Sequence, residues 1–351
     1  MKKVILMSLA CCMAAMAQAK ILRVSNVTGS TAPYTTYADA ELAAEEGDTI
    51  VLESSETAYQ VDTIAKRIVL MGHGYWKVEN GIVSEGCQSA KIVSPTVNYR
   101  QYPICVAVEG TVIQGLEIGS WINLIAPKCV LERNLIQSDV AIDKVAVGAV
   151  IHSNYLNGVV GVYGCNRISY DVGHSMWDLG EGPAVNVAII NNVISPKGHY
   201  GYLFKYLDNS YIAYNTYWVT SEYDVTHATS IIEIKNSTFE YNIIPTCDGR
   251  PSIYDDLDGS NKIGDEQLYE VDDYLAQESQ AFPSNGEYKS DLNIKNYEMK
   301  FTDGKHGAFA GTDPYVISGV PAGPVIEDIE MPVSVEKGKK LEVTVKVKIQ
   351  K

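Results

Sequence analysis

The residues best suited to chemistry lie in the segment DVGHSMWDLGEG, residues 171–182. Two carboxylates, Asp178 and Glu181, lie three residues apart, and His174 and Trp177 precede them. A glycoside hydrolase needs two carboxylates about 5 to 10 Å apart across a groove. An aromatic ring among polar groups is also typical of a sugar subsite. The alternative is an ordinary loop at a coil edge with a half-buried tryptophan.

Lysine is the second residue type that could do chemistry. A polysaccharide lyase uses a lysine or arginine base beside neutralising carboxylates, usually with calcium, to remove the C5 proton of a uronate. Lys144 and Lys205 each lie ten residues before an asparagine of the repeat described below. We expect three coil steps between them, about 14 Å at about 4.8 Å a step, so they cannot act as one pair. Lys205 is a weak candidate base, and no cofactor can be assigned. Calcium is expected only if the protein is a lyase.

A third candidate is the aromatic segment HYGYLFKYLDNSYIAYNTYW, residues 199–218. Aromatic rings on a long flat face stack on pyranose rings, and their polar tips orient sugar hydroxyls. With His174 and Trp177, we therefore predict four sugar-binding residues here: Tyr202, Tyr206, Tyr217 and Trp218. The alternative is that tyrosines fill outward strand positions because of their high β propensity.

Two further patterns argue against a metal site. The histidines His152, His174, His199 and His227 lie at different offsets from the repeat asparagines, so they form no column and are predicted as surface or loop residues. The acidic run at residues 255–261 departs from the calcium-loop template, because its glycine is fourth from Asp256 rather than sixth. We therefore predict no metal ligands and a solvated loop in this acidic region.

A repeat with a period near 20 must position these residues. A large apolar residue, two variable residues and an asparagine recur, as in FEYN at residue 239. The fourth positions of the seven units are Gly115, Asn134, Asn154, Asp171, Asn192, Asn215 and Asn242. Short β-rich units of this period predict a β-solenoid. A β-sandwich has no reason to hold one offset pattern through seven consecutive units.

Asparagine suits a tight corner, because it tolerates left-handed backbone angles and its amide bonds nearby backbone. Stacked amides should form a ladder through Asn134, Asn154, Asp171, Asn192, Asn215 and Asn242. Asp171 is thus predicted as a ladder member rather than a catalytic acid, and Gly115 fits the corner through backbone freedom alone. A second corner is predicted six residues earlier, at Asn186, Asn209 and Asn236. Three residues before the ladder, the sequence predicts one apolar column: Val112, Leu131, Ile151, Ile168, Ile189, Ile212 and Phe239.

Residues 34–52 predict a short helix, begun by Asp39 or Thr36 and ended at Gly47, followed by a GDTIVL strand. With the VLMGHGY coil at residues 69–75 and the asparagine corners, they resemble secreted right-handed parallel β-helix proteins of the pectin-lyase-like fold. Residues 306–326 are similar to the closing segment of such proteins from polysaccharide-degrading gut bacteria. The resemblance implies an all-β, right-handed parallel β-helix. It leaves function open, because lyases, hydrolases and adhesins share this fold.

The predicted division of the chain has five parts. They are a signal peptide at residues 1–19, an N-terminal cap at 20–48, the parallel β-helix at 49–247, a loop-rich closing segment at 248–324 and a C-terminal β-hairpin at 325–351. The hairpin is expected because residues 341–349 alternate strictly between apolar and polar types. A terminal cap and an export or surface-attachment signal are both open roles for it.

The first residues carry two lysines, an apolar run at residues 4–16 and the small-residue site AQA at 17–19. This is the pattern of a secretory signal, and the run is too short to span a bilayer. We expect Lys20 to be the first mature residue. The alternative is a lipoprotein signal in which Cys11 is the lipidated residue. No later segment is apolar enough to be a transmembrane segment. The predicted location is secreted, periplasmic or cell-surface.

The net charge narrows the classes of possible partner, and the cysteine count indicates whether disulfides are expected. Removing the signal takes two of 28 basic residues, so 26 remain against 43 acidic ones and the formal net charge is −17. Such a surface repels nucleic acid and anionic lipid. Five of the seven cysteines remain, an odd number without zinc or redox spacing, and buried free thiols are favoured over a disulfide framework. A monomer is expected.

We therefore predict a secreted or surface β-helix protein that binds or scaffolds extracellular polysaccharide. One alternative is a polysaccharide lyase or glycoside hydrolase acting on an extracellular glycan, which needs acidic and basic groups converging on one face. The other is an adhesin or structural surface protein, favoured by featureless outer faces and an attachment role for the hairpin. The binding hypothesis depends on whether Trp177 and the tyrosine-rich coil share a face.

Overall fold

The computed structural model describes residues 19–77, 88–97, 100–157, 162–164, 182–194, 202–217, 230–244, 262–263, 305–321, 323–330, 340 and 343–350. All but the last residue of the predicted signal, residues 1–19, and most of the predicted closing segment lie outside these ranges. In the described residues the chain is mostly strand, and most strands belong to three long parallel sheets, A, B and C. This confirms a mostly β chain with parallel, solenoid-like stacking.

The three sheets are described here in spatial order. Sheet A stacks Ile21–Val24, Thr49–Leu52, Val69–Met71, Val112–Gln114, Val130–Glu132, Val150–His152, Ala188–Ile190, Tyr211–Ala213 and Thr238–Glu240. Sheet B stacks Tyr59–Gln60, Lys91–Val93, Glu117–Ile118, Leu135–Ile136, Tyr155–Leu156, Val193–Ile194, Thr216–Tyr217, Ile243–Ile244 and Lys262–Ile263. Sheet C stacks Thr63–Ile64, Ile104–Val106, Ile122–Leu124, Val140–Ile142, Val162–Gly164 and Tyr202–Asp208, and the last of these also pairs with Ala184–Val185 and Ser230–Lys235.

The chain visits the sheets in the repeating order A, B, C. Between Thr49 and Lys235 each coil therefore contributes strands to all three sheets, and every pairing within these sheets is parallel. Outside them lie two antiparallel pairs: Thr96–Val97 with Arg100–Gln101, and Gly323–Glu330 with Thr344–Gln350. A 3-10 turn covers Ile317–Gly319.

The core is built from inward-facing aliphatic columns. The column in sheet A consists of neighbours that are all buried: Leu22, Ile50, Leu70, Ile113, Leu131, Ile151, Ile189, Ile212 and Phe239. The prediction of Val112 in this column was wrong by one residue, because Ile113 lies beside Leu131. Ile168 lies outside the described residues. Isoleucine and leucine suit these positions because each strand hides one face from water.

The corner between sheets A and B contains the buried asparagines. The backbone N–H and the side-chain amide of Asn134 both donate to Oδ1 of Asn154, at 2.9 and 3.1 Å. Asn154 does the same to Asn192, at 2.9 and 3.1 Å, and the series continues through Asn215 to Asn242. Each amide also donates to a backbone carbonyl of the preceding coil. The ladder therefore closes the backbone hydrogen bonds that a corner would leave open.

The asparagines of this corner do not adopt the left-handed conformation, contrary to the prediction. The residue before each of them does, with φ between 54° and 57°: Arg133, Ser153, Asn191, Tyr214 and Tyr241. Gly115, at φ 66°, therefore corresponds to Arg133, and Leu116 occupies the ladder position and donates to Asn134. The left-handed residue turns the chain, and the asparagine that follows points inward and bonds the next coil.

The second predicted corner, between sheets C and A, uses the same two-residue device with different side chains. Asn186, Asn209 and Asn236 have φ of 57°, 46° and 49°, so here asparagine is the left-handed residue. The residue after it bonds the next coil: Val187 N–H donates to Ser210 Oγ, and Ser210 N–H donates to Ser237 Oγ. Serine performs at this corner what asparagine performs at the first.

The helix runs from Tyr37 to Ala43, and Thr36 caps it by accepting a hydrogen bond from the Asp39 N–H at 3.2 Å. It ends four residues before Gly47, earlier than predicted. Gly47 instead has φ 90° in the turn that leads into the strand Thr49–Leu52. Tyr37 and Ala40 are buried in the same core as the first strands of sheet A.

Residues 305–321, here called the strap, run along the outside of the A–B corner. With rising residue number the strap passes the left-handed residues in reverse order. Gly307 N–H donates to the Tyr241 carbonyl, Asn191 donates to the carbonyls of Ala308 and Ala310, and Val316 N–H donates to Ser153 Oγ. Arg133 then donates to Val320. These hydrogen bonds join the strap to four coils from outside, on the corner whose inside is the asparagine ladder.

Apolar contacts hold the strap as well. Tyr315 is buried, and its hydroxyl shares a hydrogen bond with that of Tyr75. Trp76 packs edge-on against Tyr155 of sheet B, at 5.1 Å between ring centroids. Gly319 has φ 52°, and a side chain there would overlap the Arg133 carbonyl and the Tyr75 ring. This close approach requires glycine.

We predict that Asn192→Ala destabilises the protein by several kcal/mol, because it removes the acceptor of two Asn154 donors and frees the Ile151 carbonyl. Each buried polar group left unpaired costs about 1–3 kcal/mol. Urea unfolding followed by circular dichroism measures the loss. The control Asn209→Gly removes an exposed amide and keeps the left-handed backbone, so its cost should be below about 1 kcal/mol. Equal losses in the two variants would contradict a dominant role for the buried ladder.

We also predict that Gly319→Ala weakens the strap more than Gly311→Ala. Both glycines are left-handed, so alanine costs about 1–2 kcal/mol at either position. Only Gly319 meets backbone atoms, whereas Gly311 faces the Tyr214 ring at 3.4 Å. The overlap should add about 1–3 kcal/mol. Unfolding followed by fluorescence compares the two, and a Gly311→Ala loss equal to that of Gly319→Ala would show that backbone overlap is unimportant.

Candidate functional site

A long insertion leaves and re-enters sheet C at one point. The strand Val162–Gly164 precedes it and Ala184–Val185 follows it, and both pair with the same strand, Tyr202–Asp208. Tyr163 lies beside Lys205, and Ala184 lies beside Leu207, so only one residue, Tyr206, separates the two anchors on the facing strand. Residues 165–183, here called the inserted loop, therefore replace no residue of the coil.

The spacing of the ladder gives the same result. Asn154 and Asn192 are directly hydrogen-bonded although 38 residues separate them, whereas Asn134 and Asn154 are 20 apart. Removing the 19 residues of the inserted loop from 38 leaves 19, which is one ordinary coil. The predicted ladder unit at Asp171 was therefore wrong between these two asparagines. Asp171 itself falls in the inserted loop, outside the described residues.

Tyr206 lies opposite the point at which the inserted loop leaves and re-enters sheet C, here called the loop mouth. Its φ of 54° is left-handed and its side chain is half-buried. For a bulky residue this backbone conformation is unfavourable, and it marks a bend in the strand at that point. The strand Tyr202–Asp208 therefore bends where the facing strand releases the loop.

Two residues of the neighbouring coil border the same mouth. Asp143 follows the strand Val140–Ile142, is only 6% exposed, and accepts a hydrogen bond from Val145 N–H at 2.9 Å. Lys144 is exposed, and its side chain runs past Gly182 at the end of the inserted loop; a Cβ on that glycine would lie 3.7 Å from Lys144 Cδ. The aliphatic part of the Lys144 side chain thus lies beside Gly182, at the end of the loop that carries Asp178 and Glu181.

One register of sheet C leads to the point where the loop leaves. Adjacent strands contribute Thr63, Cys105, Asn123, Ala141, Tyr163 and Lys205 to it. At Asn123 this register faces away from the aliphatic core, because its neighbours Ile122 and Leu124 point into that core. Asn123 and Asp139 are only 3% and 2% exposed. This face of the solenoid therefore holds polar groups that are shielded from bulk water.

The register corrects the predicted relation between the two lysines. Lys205 is level with Tyr163 and Ala141, whereas Lys144 lies beyond the end of the strand Val140–Ile142. They are therefore not equivalent, and two coil steps separate Lys205 from the level of Ala141. Counting back from the asparagines failed because coils differ in the length of the turn after sheet C.

The tyrosine-rich coil is divided among the faces of the solenoid. Tyr202 and Tyr206 lie in sheet C, Tyr211 lies in sheet A, and Tyr214 stacks on Tyr241 at the A–B corner, with ring centroids 5.1 Å apart. Tyr217 lies in sheet B, in register with Ile194 of the buried row. Tyr202 and Tyr217 therefore lie in different sheets, because the coil turns two corners between them.

Several predicted site residues lie outside the described part of the chain. These are His174, Trp177, Asp178, Glu181 and Trp218; of Tyr202, Lys205 and Tyr217 only the backbone is described. The sheet register nevertheless places both ends of the loop that carries Trp177 at Lys205 and Tyr206. The sequence did not single out Asp143 or the bend at Tyr206. The 38-residue interval between two ladder asparagines was the available signal for the insertion, but Asp171 divided it into two plausible periods.

The other reactive groups in the described residues are structural. Burial raises the pKa of the Cys129 thiol to about 11, and burial followed by the nearby Asp62 raises that of Cys105. Both are free thiols, and a raised pKa leaves little nucleophilic thiolate at neutral pH. His152 is covered by the strap, 3.1 Å from the Asp313 carbonyl oxygen. Among the described residues, no group of three or more His, Cys, Asp or Glu side chains could hold a metal ion.

Comparison with known proteins assigns this chain to no family. No protein-family profile, curated protein or solved structure matches this chain. None of the helices in the described residues is both long and apolar enough to span a bilayer.

We predict that the inserted loop can be excised without loss of the fold. Joining Gly164 directly to Ala184 keeps the pairing with Tyr202–Asp208 in register and restores a coil of ordinary length. The excised protein should retain its β-sheet circular dichroism and melt within about 5 °C of the intact protein, since solenoid coils contribute locally to stability. A control that also removes Ala184 and Val185 should melt well below it. Unfolding of the first variant would show that the loop is part of the coil.

Proposed function

We propose that this protein binds an extracellular polysaccharide at the point of sheet C where the inserted loop begins and ends, with the loop as the principal contact. The observation that carries the proposal is the position of the loop. The strands that flank it pair with Lys205 and Leu207, on either side of Tyr206, so the loop that carries His174 and Trp177 begins and ends beside the aromatic strand Tyr202–Asp208. Tyr217 and Trp218 are not part of this proposed surface.

The chemistry of this face suits a glycan. A sugar ring needs a flat apolar surface for its C–H groups and polar groups that bind its hydroxyls. Tyr206 and the loop tryptophan would supply rings, and the exposed Lys144 beside Gly182 supplies a hydrogen-bond donor.

We further propose that the chain is a right-handed, pectin-lyase-like β-helix that is exported by its first 19 residues. The parallel order of sheets A, B and C supports the β-helix, and parallel crossovers are right-handed in almost all proteins. Export is supported only by the composition of residues 1–19. An extracellular location gives a polysaccharide-binding face access to its ligand.

A second candidate function is polysaccharide cleavage. It is favoured by the arrangement of charged residues around the loop mouth: Asp143 and Lys144 border one side, Lys205 lies on the facing strand, and Asp178 and Glu181 belong to the loop itself. A lyase would use a lysine as base and calcium or a cationic side chain against the uronate. A hydrolase would use the two loop carboxylates.

The two functions are separated by titrating the protein, residues 20–351, with a panel of plant, host and microbial glycans in the presence of calcium. We expect tryptophan fluorescence to change with at least one glycan and absorbance at 235 nm to stay constant. Rising absorbance at 235 nm would establish a lyase, and release of reducing ends without it would establish a hydrolase; either would overturn binding without cleavage.

Three variants then test the location of binding by calorimetry. Loop excision should abolish binding, and Trp177→Ala and Tyr206→Gly should each weaken it about tenfold, which corresponds to about 1.4 kcal/mol. Glycine is chosen at Tyr206 because it accepts the left-handed backbone there. Tyr211→Ala removes an exposed ring of the same coil on sheet A and should leave the affinity unchanged. Full affinity after loop excision would contradict the site, and no binding to any glycan would favour the adhesin role.

A further inference from the structure

The backbone nitrogen of Lys20 lies directly against a buried carboxylate. It donates to Oδ1 of Asp48 at 2.7 Å, and the Glu45 N–H donates to Oδ2 of the same side chain at 2.8 Å. Asp48 is only 2% exposed, although a carboxylate removed from water is unfavourable without strong partners. The site is therefore built around a negative charge, with one backbone nitrogen aimed at each oxygen.

The surroundings keep Asp48 ionised. Burial alone would raise its pKa, but the amides of Glu45 and Lys20 and the charges of Lys20 and Lys66 outweigh this, so that the pKa is lowered. The Lys66 ammonium is engaged elsewhere, with the carbonyls of Leu42 and Ala44 at 2.9 and 2.7 Å. The Lys20 ammonium is paired with Glu45 at the surface.

The residue that aims its nitrogen at Asp48 is also the one that follows the small-residue site AQA, residues 17–19. We propose that cleavage after Ala19 converts this nitrogen into an α-ammonium group that forms a buried ion pair with Asp48. Hydrolysis consumes one water: the new carboxylate stays on Ala19, and the Lys20 nitrogen becomes an amine that is protonated at neutral pH. A signal peptidase would perform this step, and the inference is independent of any glycan binding.

The ion pair would fasten the first strand of the solenoid. The Lys20 carbonyl accepts a hydrogen bond from Thr49 N–H at 2.8 Å, and Ile21 then pairs with Thr49 in sheet A. Asp48 lies just before the second strand, so the pair joins both strands at their starts. A charge-assisted hydrogen bond is roughly twice as strong as a neutral one. Removal of the signal therefore tightens the N-terminal edge of the protein only after export.

The direct test measures the pKa of the α-amino group in protein that begins at Lys20. The pH dependence of its reaction with cyanate, read by mass spectrometry of the N-terminal peptide, gives this pKa. An unpaired α-amino group has a pKa of about 7.7–8.0. We expect a pKa raised by at least about one unit in the intact protein, and a return to the ordinary value in Asp48→Asn. Glu45→Gln breaks only the exposed side-chain pair and should change the pKa little.

A second measurement does not require the Asp48 variant to fold. The free α-ammonium should raise the melting temperature by a few degrees at pH 7, relative to the same protein acetylated on the α-amino group of Lys20. Because the folded pKa is raised, this difference should be complete below about pH 8 and should disappear as the pH rises through the folded value. Equal melting temperatures at pH 7, an α-amino pKa of about 8, or an exported chain that begins at another residue would each overturn the proposal.

Discussion

One hydrogen bond, from the backbone N–H at a corner to the side-chain oxygen of the next coil, sets the architecture of this protein. Between sheets A and B the acceptor is Oδ1 of asparagine, and between sheets C and A it is Oγ of serine. A corner leaves its N–H without a strand partner, and burying it unpaired would be costly. The same bond fixes the register of neighbouring coils, so the parallel sheets and the aliphatic columns follow from it.

The left-handed residue beside each ladder asparagine links the inside of the corner to the outside. The ladder asparagines point into the protein, whereas Asn191 and Arg133 donate outward to the strap. Because the strap contacts a different coil every few residues, the side chains at this corner vary: glycine meets Pro321, and tyrosine stacks on tyrosine. One corner thus carries two layers of stabilising contacts, one repeated and one specific.

The modular hydrogen bonding also explains how a coil holds a long insertion. Each strand needs only its two neighbours, so 19 residues can leave sheet C between Gly164 and Ala184 while the strands on either side keep their register. Closing a longer loop adds little entropy cost. The insertion leaves sheet C opposite Tyr206 and ends beside Lys144, and the proposed binding surface lies there.

The sequence by itself determined the features that depend on local residue chemistry. The repeated asparagines predicted the stacked corners, the apolar residues from Leu131 to Phe239 predicted the core column, and Thr36 was one of two predicted helix caps. Only the tertiary structure decided which coils are neighbours. Spacing along a chain cannot distinguish one coil with an insertion from two coils, so Asp171 was mistaken for a ladder unit. Hydrogen bonds between coils determine which coils are neighbours. Hydrogen bonds also join Lys20 to Asp48 and the strap to the A–B corner, and these residues are far apart in a sequence that shows no pattern linking them.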